Sequence, residues 1–112
     1  MDLSINRSDR ELGGRVAHVL SVAGAVDVYT SPRLREALSQ AIDAGCTDLV
    51  VDLDQVSFLD STGLGVLVGG LKRVRSVGGT LVVVCTRDRV LTVFSLTGLD
   101  RVFRIVDSLD AA

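Results

Sequence analysis

The sequence has few of the residues from which metal and nucleophilic sites are usually built. Its 112 residues include no tryptophan, one histidine and two cysteines. One histidine and two scattered cysteines do not make a zinc site, so we expect neither a metal nor another cofactor. A Ser-His-Asp relay would have to use His18, but His18 shares a strand face with Val16, Leu20 and Val22, which is more typical of a packed or edge histidine.

Basic charge and long apolar runs are also missing. The formal net charge is −2 and the pI is about 5.2, which leaves no basic footprint for a nucleic acid partner. The apolar runs are far shorter than the roughly 20 residues that a membrane span needs, and no signal-peptide pattern opens the chain. We therefore expect a cytoplasmic protein without a nucleic acid or membrane partner.

The hydrophobic periodicity predicts one α/β domain over residues 1–112, with a core from about residue 3 to 107 and a short polar tail over 108–112. After an amino-terminal β-hairpin, strands and helices alternate, which favours a mixed, largely parallel sheet layered with helices. The expected strands cover 3–7, 16–23, 48–53, 80–85 and 102–106, and the expected helices 32–44, 61–77 and 87–96. Either Ser31 or Thr30 can cap the first helix ahead of Pro32.

If the sheet is parallel, Cys46 and Cys85 lie at its opposite ends, because one precedes a strand and the other follows the next strand. That separation exceeds the roughly 7 Å between Cα atoms that a disulfide tolerates. We expect two reduced, buried thiols, and the sequence leaves any redox role for them open.

The most informative stretch is Phe58-Leu59-Asp60-Ser61-Thr62-Gly63-Leu64-Gly65, which lies between an apolar strand and an amphipathic helix. Asp60 is a good N-cap residue, since its side chain can accept a hydrogen bond from an unpaired N–H of the first helical turn. Ser61 then lies in that turn, with its hydroxyl at the positive end of the helix dipole.

The helix that follows carries glycine on the face away from its apolar stripe. At about 100° per residue, the outward face contains Thr62, Gly65, Val66, Gly69 and Arg73. A glycine inside a helix costs roughly 1 kcal/mol relative to alanine, and an outward glycine gains no core packing in return. The pattern indicates that a partner docks closely on this face, next to Ser61.

Parallel strands bring their carboxyl ends to one edge of the sheet, where open α/β proteins place their sites. The loops at Asp27, at Asp60-Ser61 and after Cys85 all follow strands, so we expect Asp27 to lie near Ser61. Asp27 is open to two interpretations, as a brace for the first helix or as part of the partner site. Arg87 and Arg89 are expected to be solvated charges near the same edge.

Taken together, several segments resemble the STAS domain, and in particular the stand-alone anti-sigma factor antagonists. These segments are Gly24-Ala25-Val26-Asp27, the strand 49–53, the stretch from Phe58 to Leu67, and Leu96-Thr97-Gly98-Leu99. The resemblance extends over about residues 3–107.

The resemblance implies partner switching that controls transcription. The unphosphorylated antagonist binds an anti-sigma factor, which is also a serine kinase, and a sigma factor is released. The kinase then phosphorylates the serine that corresponds to Ser61, and a phosphatase reverses the modification. By the same resemblance, Asp27 contributes to kinase recognition. Together with the outward face of the helix, the expected partner surface comprises Asp27, Asp60, Thr62, Gly63, Gly65, Val66, Gly69 and Arg73. Thr62 is a weaker phosphorylation candidate, and Ala25 replaces an acidic residue common in the family.

Two other functional classes compete with this one. An enzyme is disfavoured, because Ser61 is not in a G-x-S-x-G elbow and the chain has no phosphate-binding GxxxxGK[ST] loop. A receiver domain phosphorylated at Asp52 or Asp60 would need a lysine at a strand end, but the only lysine, Lys72, lies inside a predicted helix. Within the same fold, the alternative is a scaffold, or an accessory subunit, of a stress-signalling or lipid-transport assembly.

Overall fold

A computed structural model describes residues 2–112. Its amino-terminal hairpin consists of β1 (Ser4–Leu12) and β2 (Arg15–Val26). Gly13 and Gly14 join the two strands with φ of 57° and 83°. Positive φ at both turn positions matches the turn twist to that of the strands and favours glycine there.

After the hairpin, helices and strands alternate as the sequence predicts. They are α1 (Ser31–Asp43), β3 (Asp48–Leu59), α2 (Ser61–Ser76), β4 (Thr80–Val84), α3 (Asp88–Leu96) and β5 (Arg104–Val106), with short 3-10 turns at Leu99–Arg101 and Leu109–Ala111. The sheet order is β1-β2-β3-β4-β5, and every pairing except that of β1 with β2 is parallel. The predicted α/β class and the largely parallel sheet are confirmed.

All three helices pack on one face of the sheet. The main core joins apolar residues of the three helices to inward residues of β2, β3 and β4. The other face has a smaller cluster built from Leu12, Ala17, Val19, Val50 and Val84. Leu109 and Ala112 pack against this smaller cluster, so the short segment 108–112 lies against the sheet.

Three strands are longer than their hydrophobic patterns indicate. β1 continues past Arg7 to Leu12, and the other two are β2 and β3. β2 continues to Val26 and β3 continues to Leu59, where these two residues pair with each other. The pairing is interrupted by register shifts between Ser21 and Ala23 and between Gly24 and Ala25. Such shifts break the alternation of inward and outward side chains, which hides the ends of the strands from a period-two pattern. β5 is shorter than expected, because a 3-10 turn precedes it.

Cys46 and Cys85 are both free and buried, as predicted. Burial raises the pKa of the Cys85 thiol, and a thiol held protonated is a poor nucleophile. Within residues 2–112, no helix has the length and apolar character needed to cross a bilayer.

Candidate phosphorylation and partner-docking site

The turn between β3 and α2 is held from both sides. Asp60 caps α2, and its Oδ1 accepts a hydrogen bond of 3.1 Å from the N–H of Gly63. The N–H of Asp60 donates to the carbonyl oxygen of Val26 at 3.2 Å, which ties the turn to the end of β2. The predicted N-cap role of Asp60 is confirmed, and the position of the next residue is fixed by the same contacts.

Ser61 is the first residue of α2 and is exposed. Its hydroxyl makes no hydrogen bond to any group within residues 2–112. The neighbouring Thr62 is less accessible, since it is half-buried. Unpaired N–H groups and the helix dipole make this end of α2 favourable for an anion. The hydroxyl of Ser61 is therefore accessible at a position that tolerates an added phosphate.

Asp27 lies at the end of β2 and organises the loop that enters α1. Its Oδ1 accepts hydrogen bonds from the N–H groups of Tyr29 and Thr30, at 2.9 and 3.0 Å. The hydroxyl of Thr30 donates to the carbonyl oxygen of Ala25 at 2.8 Å. These contacts support the brace interpretation of Asp27. Thr30 is the N-cap residue of α1, one of the two predicted candidates. Its hydrogen bonds to Asp27 and Ala25 were not predicted, although the Asp-x-x-Thr spacing could have indicated them.

The same contacts predict how Asp27 titrates. The hydrogen bond from the N–H of Thr30 has the largest effect on the pKa of Asp27, and it lowers that pKa. The N–H of Tyr29 also lowers it, whereas partial desolvation raises it. The net result is a pKa below the ordinary value of 3.8. Since the folded pKa is the lower one, the ionised carboxylate stabilises the fold above the ordinary value, and this contribution is lost as the pH falls through the folded pKa.

We expect the NMR titration midpoint of the Asp27 carboxyl to lie below 3.8 in the folded protein, and at the ordinary value in denaturant. A midpoint in the folded protein at or above the denatured one would contradict the loop geometry.

The glycines of α2 fall into two groups. A Cβ atom added at Gly63 would lie 2.6 Å from Cδ1 of Leu59 and 2.7 Å from Cγ1 of Val26, and one at Gly70 would lie 3.1 Å from Cδ1 of Leu38. Internal packing therefore explains these two glycines. Gly65 and Gly69 differ, because a Cβ atom at either position would meet nothing within 4 Å.

A groove of about 290 Å³ lies between α1 and α2, and Gly65 and Gly69 form part of its wall. Its other lining residues are Arg35, Leu38, Ser39, Ile42, Val66, Gly70 and Arg73. The glycine face is thus left open by the chain's own segments, as predicted.

Two residues of the expected partner surface are buried. Val66 is only 4% exposed and belongs to the main core, so its predicted outward orientation is wrong. The reason is that α1 packs beside α2, which widens the covered arc of α2 beyond its sheet-facing stripe. Gly63 is buried as well. Arg73 is exposed, but it is held by α1, since it donates to Asp43 at 2.7 Å and to Ser39 at 3.0 Å.

A third loop is anchored at the same edge of the sheet. Oδ1 of Asp54 accepts hydrogen bonds from the N–H of Thr86 at 2.6 Å and from its hydroxyl at 3.1 Å. Arg87 also donates to the carbonyl oxygen of Asp54, at 3.3 Å. Sequence reasoning missed this anchor, because it ended β3 at residue 53. Within the described part of the chain, no cluster of ligating side chains could hold a metal ion.

Comparisons with known proteins agree with this architecture. The STAS domain family model matches residues 11–112. The anti-sigma-B factor antagonist of Bacillus subtilis is 42% identical over 86 residues, covering 77% of this chain and 78% of the relative. The anti-sigma-B factor antagonist of Listeria monocytogenes is 38% identical over 107 residues, covering 94% of this chain and 90% of the relative.

Among solved structures, an anti-sigma factor antagonist from Mycobacterium paratuberculosis superposes with a TM-score of 0.82. That protein is 30% identical, and the match covers 96% of this chain and 90% of the other. The family match extends over nearly the whole sequence, and the relatives are matched over most of their own length. This chain therefore belongs to the STAS domain family.

Proposed function

We infer that this protein is an anti-sigma factor antagonist that acts by partner switching. In its unphosphorylated form it binds an anti-sigma factor, and a sigma factor is thereby released. The observation that carries this proposal is the open glycine face of α2 beside an exposed Ser61, on a chain whose relatives at 38% and 42% identity are named anti-sigma-B factor antagonists. Partners of this kind act in the cytoplasm.

The anti-sigma factor in this proposal is also a serine kinase. It transfers the γ-phosphoryl group of ATP to Oγ of Ser61, with loss of the hydroxyl proton and release of ADP. A phosphatase restores the hydroxyl by hydrolysis of the ester, which yields inorganic phosphate. The support for Ser61 over Thr62 is its accessibility, because Ser61 is exposed and Thr62 is half-buried.

The modification would act at the interface and would leave the fold unchanged. A phosphate carries about −1.5 to −2 charges at neutral pH, and the amino-terminal end of α2 accommodates that charge locally. Asp60 immediately precedes Ser61. Asp27 lies near them, because it follows Val26, whose carbonyl oxygen accepts a hydrogen bond from the N–H of Asp60. Three anionic groups would then share one corner, and burying them against a partner costs desolvation and repulsion.

Capture from extract of the source cells tests the proposal. Immobilised wild type and Ser61→Ala should both retain a kinase that regulates a sigma factor, and added ATP should elute it from the wild type only. Mass spectrometry should then place the phosphate on Ser61. The proposal would be wrong if the captured kinase phosphorylated Ser61→Ala as fast as the wild type, or if no kinase were retained.

A further inference from the structure

Three large apolar side chains are exposed at the edge of the sheet that carries Ser61. Tyr29 is 87% exposed, Val28 58% and Phe58 44%. We refer to these three residues as the Tyr29 patch. None of them belongs to either core cluster. The three residues lie at the ends of two neighbouring strands, and exposed apolar residues grouped in this way indicate a surface that another molecule covers.

The strand pairing places this patch beside the phosphorylation site. Phe58 pairs with Ala25, and Leu59 pairs with Val26. Val28 follows Val26 by two residues, just as Ser61 follows Leu59 by two residues. The patch and Ser61 therefore extend from the ends of the same two adjacent parallel strands.

The loop that presents Tyr29 is held by hydrogen bonds. The N–H groups of Tyr29 and Thr30 are both held by Oδ1 of Asp27, and Thr30 is tied back to Ala25. A side chain presented on a pre-formed loop loses little conformational entropy on binding. Tyrosine suits this role, since it offers a large contact area with few torsions, and it is enriched among the residues that dominate binding energy.

We propose that the Tyr29 patch is the apolar anchor for the anti-sigma factor kinase, and that the kinase receives Tyr29 in an apolar pocket bordered by arginine or lysine. This inference rests on the proposed function and specifies its partner surface. Charge complementarity selects the basic border, because the carboxylates of Asp27 and Asp60 flank the patch. It also disfavours a second copy of this chain, which would bring the same acidic corner against itself.

Binding of the purified kinase captured above tests the anchor. All variants are made on the Ser61→Ala background, so that phosphorylation does not intervene. Tyr29→Ala should raise the Kd at least about 30-fold, as expected for a dominant contact residue. Leu96→Ala is the matched control, since Leu96 is 82% exposed at the distal end of α3; its Kd should change less than about twofold. Both variants should keep the melting temperature of the parent.

The possible results separate the two proposals. Equal Kd values for Tyr29→Ala and its parent would overturn the anchor and leave the proposed function intact. Failure of the parent to bind any kinase would overturn both. Sedimentation that showed a dimer dissociated by Tyr29→Ala would assign the patch to a second copy and overturn the anchor. In a protein that keeps Ser61, Tyr29→Ala should raise the KM for phosphorylation while kcat stays within about twofold. This is the result expected when a contact that stabilises the bound substrate and the transition state equally is lost.

Discussion

Phosphorylation of Ser61 is expected to weaken binding of the anti-sigma factor by roughly a thousandfold or more. The phosphate joins Asp60 and Asp27 at one corner of the sheet, and several kcal/mol of repulsion and desolvation would oppose its burial. Each 1.4 kcal/mol corresponds to about tenfold in affinity. Titration calorimetry with unmodified and stoichiometrically phosphorylated protein measures the effect directly.

Variants at Ser61 distinguish the effect of an added negative charge from the effect of losing the hydroxyl. Ser61→Ala should fold and bind like the unmodified protein, and it should not be released by ATP. Ser61→Glu and Ser61→Asp should bind poorly, although more tightly than the phosphoprotein, since a carboxylate carries less charge than a phosphate. Circular dichroism should be the same for all forms. Tight binding of the phosphoprotein would contradict the switch, and a changed fold would contradict its location at the interface.

Replacing Gly69 with arginine should strongly weaken docking and at the same time stabilise the fold. The backbone of Gly69 has room for a side chain, because an added Cβ atom meets nothing within 4 Å. Arginine is a better helix former than glycine, so the free energy of unfolding should rise by about 0.5–1 kcal/mol. The long side chain would then occupy the surface where the partner approaches. We expect the Kd for the anti-sigma factor to rise at least about 100-fold, a loss within the range of dominant interface positions. The same result is expected for Gly65→Arg.

Two controls accompany this prediction. Thr92→Arg adds the same charge at an exposed position of α3, and it should leave binding unchanged. Gly63→Ala tests the opposite class of glycine, since its Cβ atom would collide with Leu59 and Val26. It should lower the free energy of unfolding by about 1–3 kcal/mol, as overpacked cores do. Normal binding by Gly65→Arg and Gly69→Arg would remove the glycine face from the docking surface.

The local features of the site were predictable from a few residues. Asp60 is a preferred N-cap residue at the junction of an apolar strand and an amphipathic helix, so it indicated both the turn and the exposed Ser61. The alternation of strands and helices indicated a parallel sheet, and a parallel sheet brings Asp27 to the same edge. Each of these inferences depends on short-range chemistry or on a chirality rule that holds for nearly all crossovers.

Other features depend on contacts between distant parts of the chain. β3 continues past the polar residues Asp54 and Gln55 because β2 remains beside it, with Gln55 paired to Ala23 and Leu59 to Val26. Asp54 could be assigned as the anchor of Thr86 only once β3 and β4 were placed side by side. The 3-10 turn at Leu109–Ala111 also depends on distant contacts. Leu109 and the following Ala112 pack on the back of the sheet against a cluster of residues from β1 to β4.

The sequence by itself determined the order of the elements, the cap at Asp60 and the accessible serine that follows it. Only the tertiary structure decided which side of α2 is free: Val66 is covered and Gly65 and Gly69 are open, because α1 packs along one flank of the helix. A helical period reports how apolar residues are arranged around one axis. It contains no information about where a second helix will lie, which is set by the crossover that brings α1 and α2 to the same face of the sheet.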